Sequence, residues 1–164
     1  MMSDLIEFLP TLTRRCNKSV GWTLCCGGCG AFAYLLHRGL TRLGYKVDIL
    51  ARDYEKDTVE ELYDAGYYCV PDHIVLRLTD GDRTVIVDGV GVTEDGWYEF
   101  MEGTIDPKWL RKVAIQEPQN YDWNNMFRDE CDKNIPRLRR LINKGLREWR
   151  GTKIAGKGAA ADAR

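Results

Sequence analysis

Three residues of this chain have the types and spacing to do covalent chemistry together: Cys29, His73 and Asp88. Cys29 stands where a glycine-rich loop, with Gly27 and Gly28 before it and Gly30 after it, enters an apolar run of helical spacing. The first N–H groups of a helix lack partners and the dipole is positive there, which favours an anion and hence a thiolate over a thiol. The same N–H groups can hold an oxyanion that develops on an attacked carbonyl. Gly27, Gly28 and Gly30 let a substrate backbone come close. A cysteine nucleophile also needs a base that takes a proton and later returns it to the leaving group. The chain has two histidines, His37 and His73, so imidazole chemistry must use one of them.

His73 is the one with a carboxylate in reach. The segments DHIVLRLT and DRTVIVDG alternate on either side of Asp80-Gly81, a favoured pair for a two-residue primed turn. With that pair as the turn, Thr79 faces Asp82, Leu76 faces Val85, Ile74 faces Val87, and His73 faces Asp88. Directly opposed residues have Cβ atoms about 4.5–5.5 Å apart, so the carboxylate can fix the tautomer of the ring. A slip of one residue would send the pair to opposite faces. Asp72 is a competing carboxylate, but neighbours along a strand point apart. His37 lies two helical turns after Cys29, beside Arg38, and reads as a packing or surface histidine.

Each of these residues also has a plainer reading. Cys29 fits as a small buried side chain at a tight helix start. His73 fits as a strand-end histidine on a wet face, and Asp88 as a turn carboxylate before Gly89. Six cysteines occur in all, at 16, 25, 26, 29, 69 and 131. Zinc held by Cys25, Cys26 and Cys29 is the rival reading of the cluster, since Cys26-x-x-Cys29 has ligand spacing. The remaining cysteines and histidines form no second pair of that kind. A disulfide from Cys26 is a further alternative, although reduced thiols suit a chain without an export signal.

The run Cys26-Gly27-Gly28-Cys29-Gly30-Ala31-Phe32 resembles the cysteine-bearing helix start of papain-like enzymes, whose motif is C-G-[SA]-C-[WY]. The order of Cys29, then His73 opening a strand, then Asp88 ending the next, is more similar to the transglutaminase-like branch. Arylamine N-acetyltransferases share that triad logic. The resemblance spans Trp22 to Gly91. It implies an α+β fold in which the nucleophile helix packs on a small antiparallel sheet, with Cys29 as nucleophile, His73 as general base and acid, and Asp88 as orienting group. It also implies a cysteine peptidase or amidase acting through a thioester, with amine transfer as the alternative. Two departures stand out: Gly30 replaces the aromatic residue after the nucleophile, and Trp22, Thr23 and Leu24 stand where papain-like proteases carry an upstream glutamine. These departures support a second class, a binding module that has lost catalysis, and the cysteine cluster supports a third, a zinc-stabilised adaptor.

The elements that must position the site follow from patterning. Ser3 caps a short helix over Asp4–Phe8 that Pro10 interrupts. Lys18 to Gly28 reads as irregular. From Cys29 a helix carries Phe32, Leu35, Leu36, Leu40 and Leu43 at helical spacing and stops at Gly44. Tyr45–Ala51 reads as a strand, Thr58–Asp64 as a helix ending near Gly66, and Asp106-Pro107 as a helix opening. Tyr121–Glu130 reads as helical. A last helix, Ile135–Trp149, sets Ile135, Leu138, Leu141, Ile142, Leu146 and Trp149 on one stripe and Arg137, Arg139, Arg140, Lys144, Arg147 and Arg150 on the other. That basic face is either solvated or a surface for an acidic partner, nucleic acid or anionic lipid. Tyr67, Tyr68, Trp97 and Tyr98 are candidates for lining a cleft. The sequence thus reads as one α+β domain over 1–150, with a core about 20–92 and a helical part 106–150, followed by a flexible tail from Gly151.

Composition sets the outer bounds. At 164 residues, 44% hydrophobic and 30% charged, the chain affords one core and a charged surface. Lys plus Arg at 24 nearly cancels Asp plus Glu at 25, so no global charge draws it to nucleic acid. The N-terminus has early acidic residues and no basic n-region, so it does not read as a signal peptide. The uncharged run Ser19–Leu36 is crowded with glycine and is a poor membrane span. The default expectation is a cytoplasmic protein without a cofactor, since no nucleotide, flavin or haem motif is present. Its expected substrate is a protein, a peptide or a small amide.

Overall fold

The structure is a computed structural model that describes residues 2–20, 24, 28–66, 71–80, 82–94, 99–117 and 131–161. Its elements in chain order are helix α1 (Met2–Val20), helix α2 (Cys29–Arg42), strand β1 (Val47–Arg52), helix α3 (Val59–Asp64), strands β2 (His73–Asp80), β3 (Arg83–Val87) and β4 (Val92–Glu94), helix α4 (Pro107–Arg111) continuing as a π-helical turn (Lys112–Gln116), and helix α5 (Cys131–Ala161). The fold is α+β. The sheet is antiparallel throughout, in the order β1-β2-β3-β4.

Strand alternation divides the sheet into two faces. Val47, Ile49, Ala51, Ile74, Leu76, Leu78, Val85 and Val87 point into the main core, which also takes Phe32, Leu36 and Leu40 of α2, Leu5, Leu9 and Leu12 of α1, and Leu138, Ile142 and Leu146 of α5. Leu50, Val75 and Ile86 face the other way and form a small second cluster with Phe100. The outer edge of β1 is covered by the segment after Phe100: the N–H groups of Met101 and Ile105 donate to the carbonyls of Ala51 and Ile49 at 2.9 and 2.8 Å. That contact removes an open strand edge.

Local signals explain most boundaries. Gly44 ends α2 with φ at +87°, a conformation that glycine alone adopts without strain. Thr58 caps α3 in a reciprocal capping box with Glu61. Asp106 caps α4 by accepting from the Lys108 N–H at 2.8 Å, with Pro107 in the first helical position.

The bounds of α1, β1 and α5 differ from the sequence reading. Helix α1 passes through Pro10 and runs to Val20, so Lys18–Val20 is helical rather than irregular. An internal proline costs about 3 kcal/mol. The buried stripe Leu5, Leu9, Leu12, Cys16 and Val20 extends on both sides of it, at about 1.5–3 kcal/mol per large apolar side chain, and outweighs that cost. Strand β1 begins at Val47 rather than Tyr45. Helix α5 begins at Cys131 and continues past Trp149 to Ala161, because extending an existing helix needs no new nucleus and the alanines near its end favour it. The hairpin register differs as well: Asp80 pairs with Arg83, Leu78 with Val85 and Leu76 with Val87, so the connection lies one residue later than Asp80-Gly81. A two-residue shift in pairing keeps every side chain on its face, so the hydrophobic pattern fits both registers equally. The expected helix Tyr121–Glu130 lies outside the described residues.

Candidate active site

Helix α2 brings its first residue, Cys29, to one end of the sheet. Gly28 occupies the N-cap position without any capping side chain, and its carbonyl accepts the Phe32 N–H at 3.0 Å. The N–H groups of Cys29, Gly30 and Ala31 therefore precede the first intrahelical bond. No acidic side chain lies in this first turn. The positive end of a fourteen-residue dipole is left beside the sulfur. Cys29 is 6% exposed, and its side chain hydrogen-bonds the His73 ring.

His73 opens β2, with Arg52 as its partner on β1. Its ring is partly buried, and Nε2–H donates to Asp88 Oδ2 at 3.1 Å. The observed register places Asp88 diagonal to His73 rather than opposite it, since Val87 is already paired with Leu76. Diagonal neighbours on one face stay within reach of long side chains. The expected contact is therefore present, by a different geometry from the one expected.

Asp88 sits where β3 gives way to a turn. Its Oδ1 accepts the N–H groups of Val90 at 2.7 Å and Gly91 at 3.0 Å, and its own N–H donates to the Gly91 carbonyl at 3.0 Å. Two elements hold this turn from outside. Asn17 of α1 donates its side-chain amide to the Gly89 carbonyl. The Gly89 α-carbon packs on Leu24, which is fully buried. Asn17 escaped the sequence reading, as did the contact between Leu24 and Gly89. Only the Asp-Gly pair at 88–89 hinted at a turn, and nothing local tied it to α1.

The protonation states follow from these contacts. The hydrogen bond to Asp88 and then that to Cys29 raise the His73 ring to about 9, against the opposing effect of burial. Burial disfavours the Asp88 carboxylate, but the bonds from His73, Gly91 and Val90 together outweigh it and hold the group below the ordinary carboxylate value. At neutral pH the pair is therefore imidazolium and carboxylate.

Other candidate residues lie elsewhere. His37 packs near Val47 and Asp48, and burial lowers its ring below the ordinary histidine value despite opposing contributions from both. Cys16 is fully buried, and burial pushes its thiol up to about 12, as in inert core cysteines. Cys25, Cys26, Gly27, Cys69, Tyr67, Tyr68, Trp97 and Tyr98 lie outside the described residues. Among the described residues no group of three or more His, Cys, Asp or Glu side chains is arranged to hold a metal ion. No described helix is long and apolar enough to cross a membrane. The basic face of α5 is exposed and partly tied down: Arg137 donates to the Ser19 carbonyl at 2.7 Å, Arg147 to that of Asn143 at 3.2 Å, and Lys144 lies 3.8 Å from Glu148.

Comparison with protein-family models, curated proteins and solved structures finds no match to this chain.

Proposed function

We propose that the protein is a thiol-dependent acyl-transfer enzyme of papain-like or transglutaminase-like type, with Cys29, His73 and Asp88 as its triad. The observation that carries this reading is one ring joined to both partners: His73 bonds the Cys29 side chain and the Asp88 carboxylate at once. A structural histidine at a strand end has no need of a thiol on one side and a buried carboxylate on the other. The imidazolium beside the sulfur has a proton to give to a leaving group, and the first N–H groups of α2 can hold an oxyanion.

In the first half-reaction the Cys29 sulfur attacks an amide or ester carbonyl carbon. An S–C bond forms and the carbonyl electron pair moves to oxygen. The N–H groups at the start of α2 hold that oxyanion, a task that papain-like proteases share with a glutamine this chain does not carry at 22–24. The intermediate collapses with cleavage of the bond to the leaving amine or alcohol, which takes its proton from His73. In the second half-reaction water gives a proton to His73 and attacks the thioester, the S–C bond breaks, and the acid leaves. Asp88 keeps the ring oriented and stabilises its charge throughout. Hydrolysis is the favoured second step, since nothing in the sequence marks an acyl-acceptor pocket, and an amine in place of water makes the same chemistry a transferase.

The test is acylation by p-nitrophenyl acetate, read by intact mass and peptide mapping. The reading requires one acetyl group on Cys29 in the wild type, faster nitrophenol release than from Cys29→Ser, and slower release from His73→Ala. Acetylation spread evenly over accessible groups, or a Cys29→Ser variant as fast as wild type, overturns it. Loss of the adduct in buffer, or its transfer to an added primary amine, separates hydrolase from transferase.

A further inference from the structure

The Asp88 carboxylate does not sit on a regular strand. It hangs from a turn whose own bonds, from the Val90 and Gly91 N–H groups to Oδ1 and from the Asp88 N–H to the Gly91 carbonyl, fix its shape but not its place. The one side-chain hydrogen bond to the backbone of that turn from another element, among the described residues, comes from Asn17, which donates to the Gly89 carbonyl. Asn17 belongs to α1, and α1 is anchored independently of the turn by its buried stripe and by α5. The remaining acceptor of the same amide, Asn17 Oδ1, is buried and has no hydrogen-bond partner among the described residues. A buried unpaired acceptor is unfavourable for stability, so Asn17 is a poor choice for packing alone. Its amide does one evident thing, which is to hold the Gly89 carbonyl next to the residue that orients His73.

We propose that Asn17 is a positioning residue for the triad: by holding the Gly89 carbonyl it fixes the Asp88 turn, and through Asp88 the His73 ring against the Cys29 sulfur. The proposal rests on the triad reading for its catalytic meaning, while its structural core, control of the His73–Asp88 pair by Asn17, is measurable without any substrate.

The experiment compares wild type with Asn17→Leu, which removes the donor and the unpaired acceptor at similar volume. Three quantities are read: the thermal midpoint, the NMR titration of the His73 ring, and the rate of Cys29 alkylation by iodoacetamide at neutral pH. The expected result is a midpoint equal to or above wild type, a His73 titration displaced from about 9 toward 6.5, and alkylation slowed roughly ten- to a hundredfold, as for other misplaced catalytic groups. Asn17→Gln, which keeps an amide donor, is expected to recover part of both losses. A His73 titration and an alkylation rate unchanged from wild type in Asn17→Leu overturn the proposal. Should that variant fail to fold, Asn17→Ala decides by the same two readouts. Asp88→Asn separates the two levels: if it too leaves His73 and Cys29 unaltered, the triad reading itself fails, whereas an effect of Asp88→Asn without one of Asn17→Leu removes only the role of Asn17.

Discussion

Gly89 lies so close to Leu24 that a Cβ built on it would fall 2.9 Å from the Leu24 Cβ and 3.3 Å from the Leu24 carbonyl carbon. The residue that precedes the nucleophile loop and the turn that carries Asp88 are thus in direct van der Waals contact. Gly89→Ala forces the two apart, and because one colliding partner is backbone the strain cannot be relieved by a rotamer change alone. The expected cost is about 1–3 kcal/mol of stability, as for overpacking elsewhere. Denaturant unfolding measures that cost, and alkylation of Cys29 should slow in the same variant because Asp88 moves with the turn. A variant as stable and as reactive as wild type shows that the contact is slack.

The stability of the protein should depend on pH through His73. Its folded value near 9 exceeds the ordinary 6.5, so between those values the folded state binds more protons than the unfolded one. Unfolding free energy then falls as pH rises through this window, by up to about 1.4 kcal/mol per pH unit. Asp88 acts at the other end: its carboxyl is depressed below 3.8, so its contribution is present above that value and is lost as pH falls through the folded one. Urea midpoints from pH 6 to 10 test the first limb, and His73→Ala should flatten it.

How far the sequence discloses such a site depends on whether the determinant is local. The start of α2 at Cys29, its stop at Gly44, the capping box at Thr58 and the Asp106-Pro107 opening are all written within a few residues of where they act. The passage of α1 through Pro10 is not, since it depends on a core stripe that only the folded chain completes. The hairpin register was illegible for a different reason: two pairings related by a shift of two bury the same side chains. The His73–Asp88 contact was nonetheless foreseeable, because that ambiguity preserves the face on which both residues lie. Asn17 was beyond reach, since its bond to Gly89 joins two segments with no sequence signal between them.

The capping box on α3 gives a control remote from the triad. Thr58 accepts the Glu61 N–H at 3.2 Å, and Glu61 in turn accepts the N–H groups of Thr58 and Asp57. Thr58→Ala should cost about 1 kcal/mol and raise amide exchange across Val59–Asp64. Cys29 alkylation should stay at the wild-type rate. A parallel loss of reactivity shows instead that general destabilisation reaches the triad, and the effects of the site variants must then be corrected for it.

The last prediction concerns the alkaline limb of turnover. Expulsion of the leaving amine requires a protonated His73, so the acylation rate should fall as the ring loses its proton, with a limb near pH 9. Removing the Asp88 charge removes the largest cause of that elevated value. Asp88→Asn should therefore move the limb to lower pH while leaving a measurable rate, because the sulfur and the helix N–H groups remain in place. Initial rates of amide cleavage from pH 6 to 10 on both proteins decide the point. A limb that stays fixed in Asp88→Asn belongs to a group other than His73, and the assignment of the leaving-group acid would then have to change.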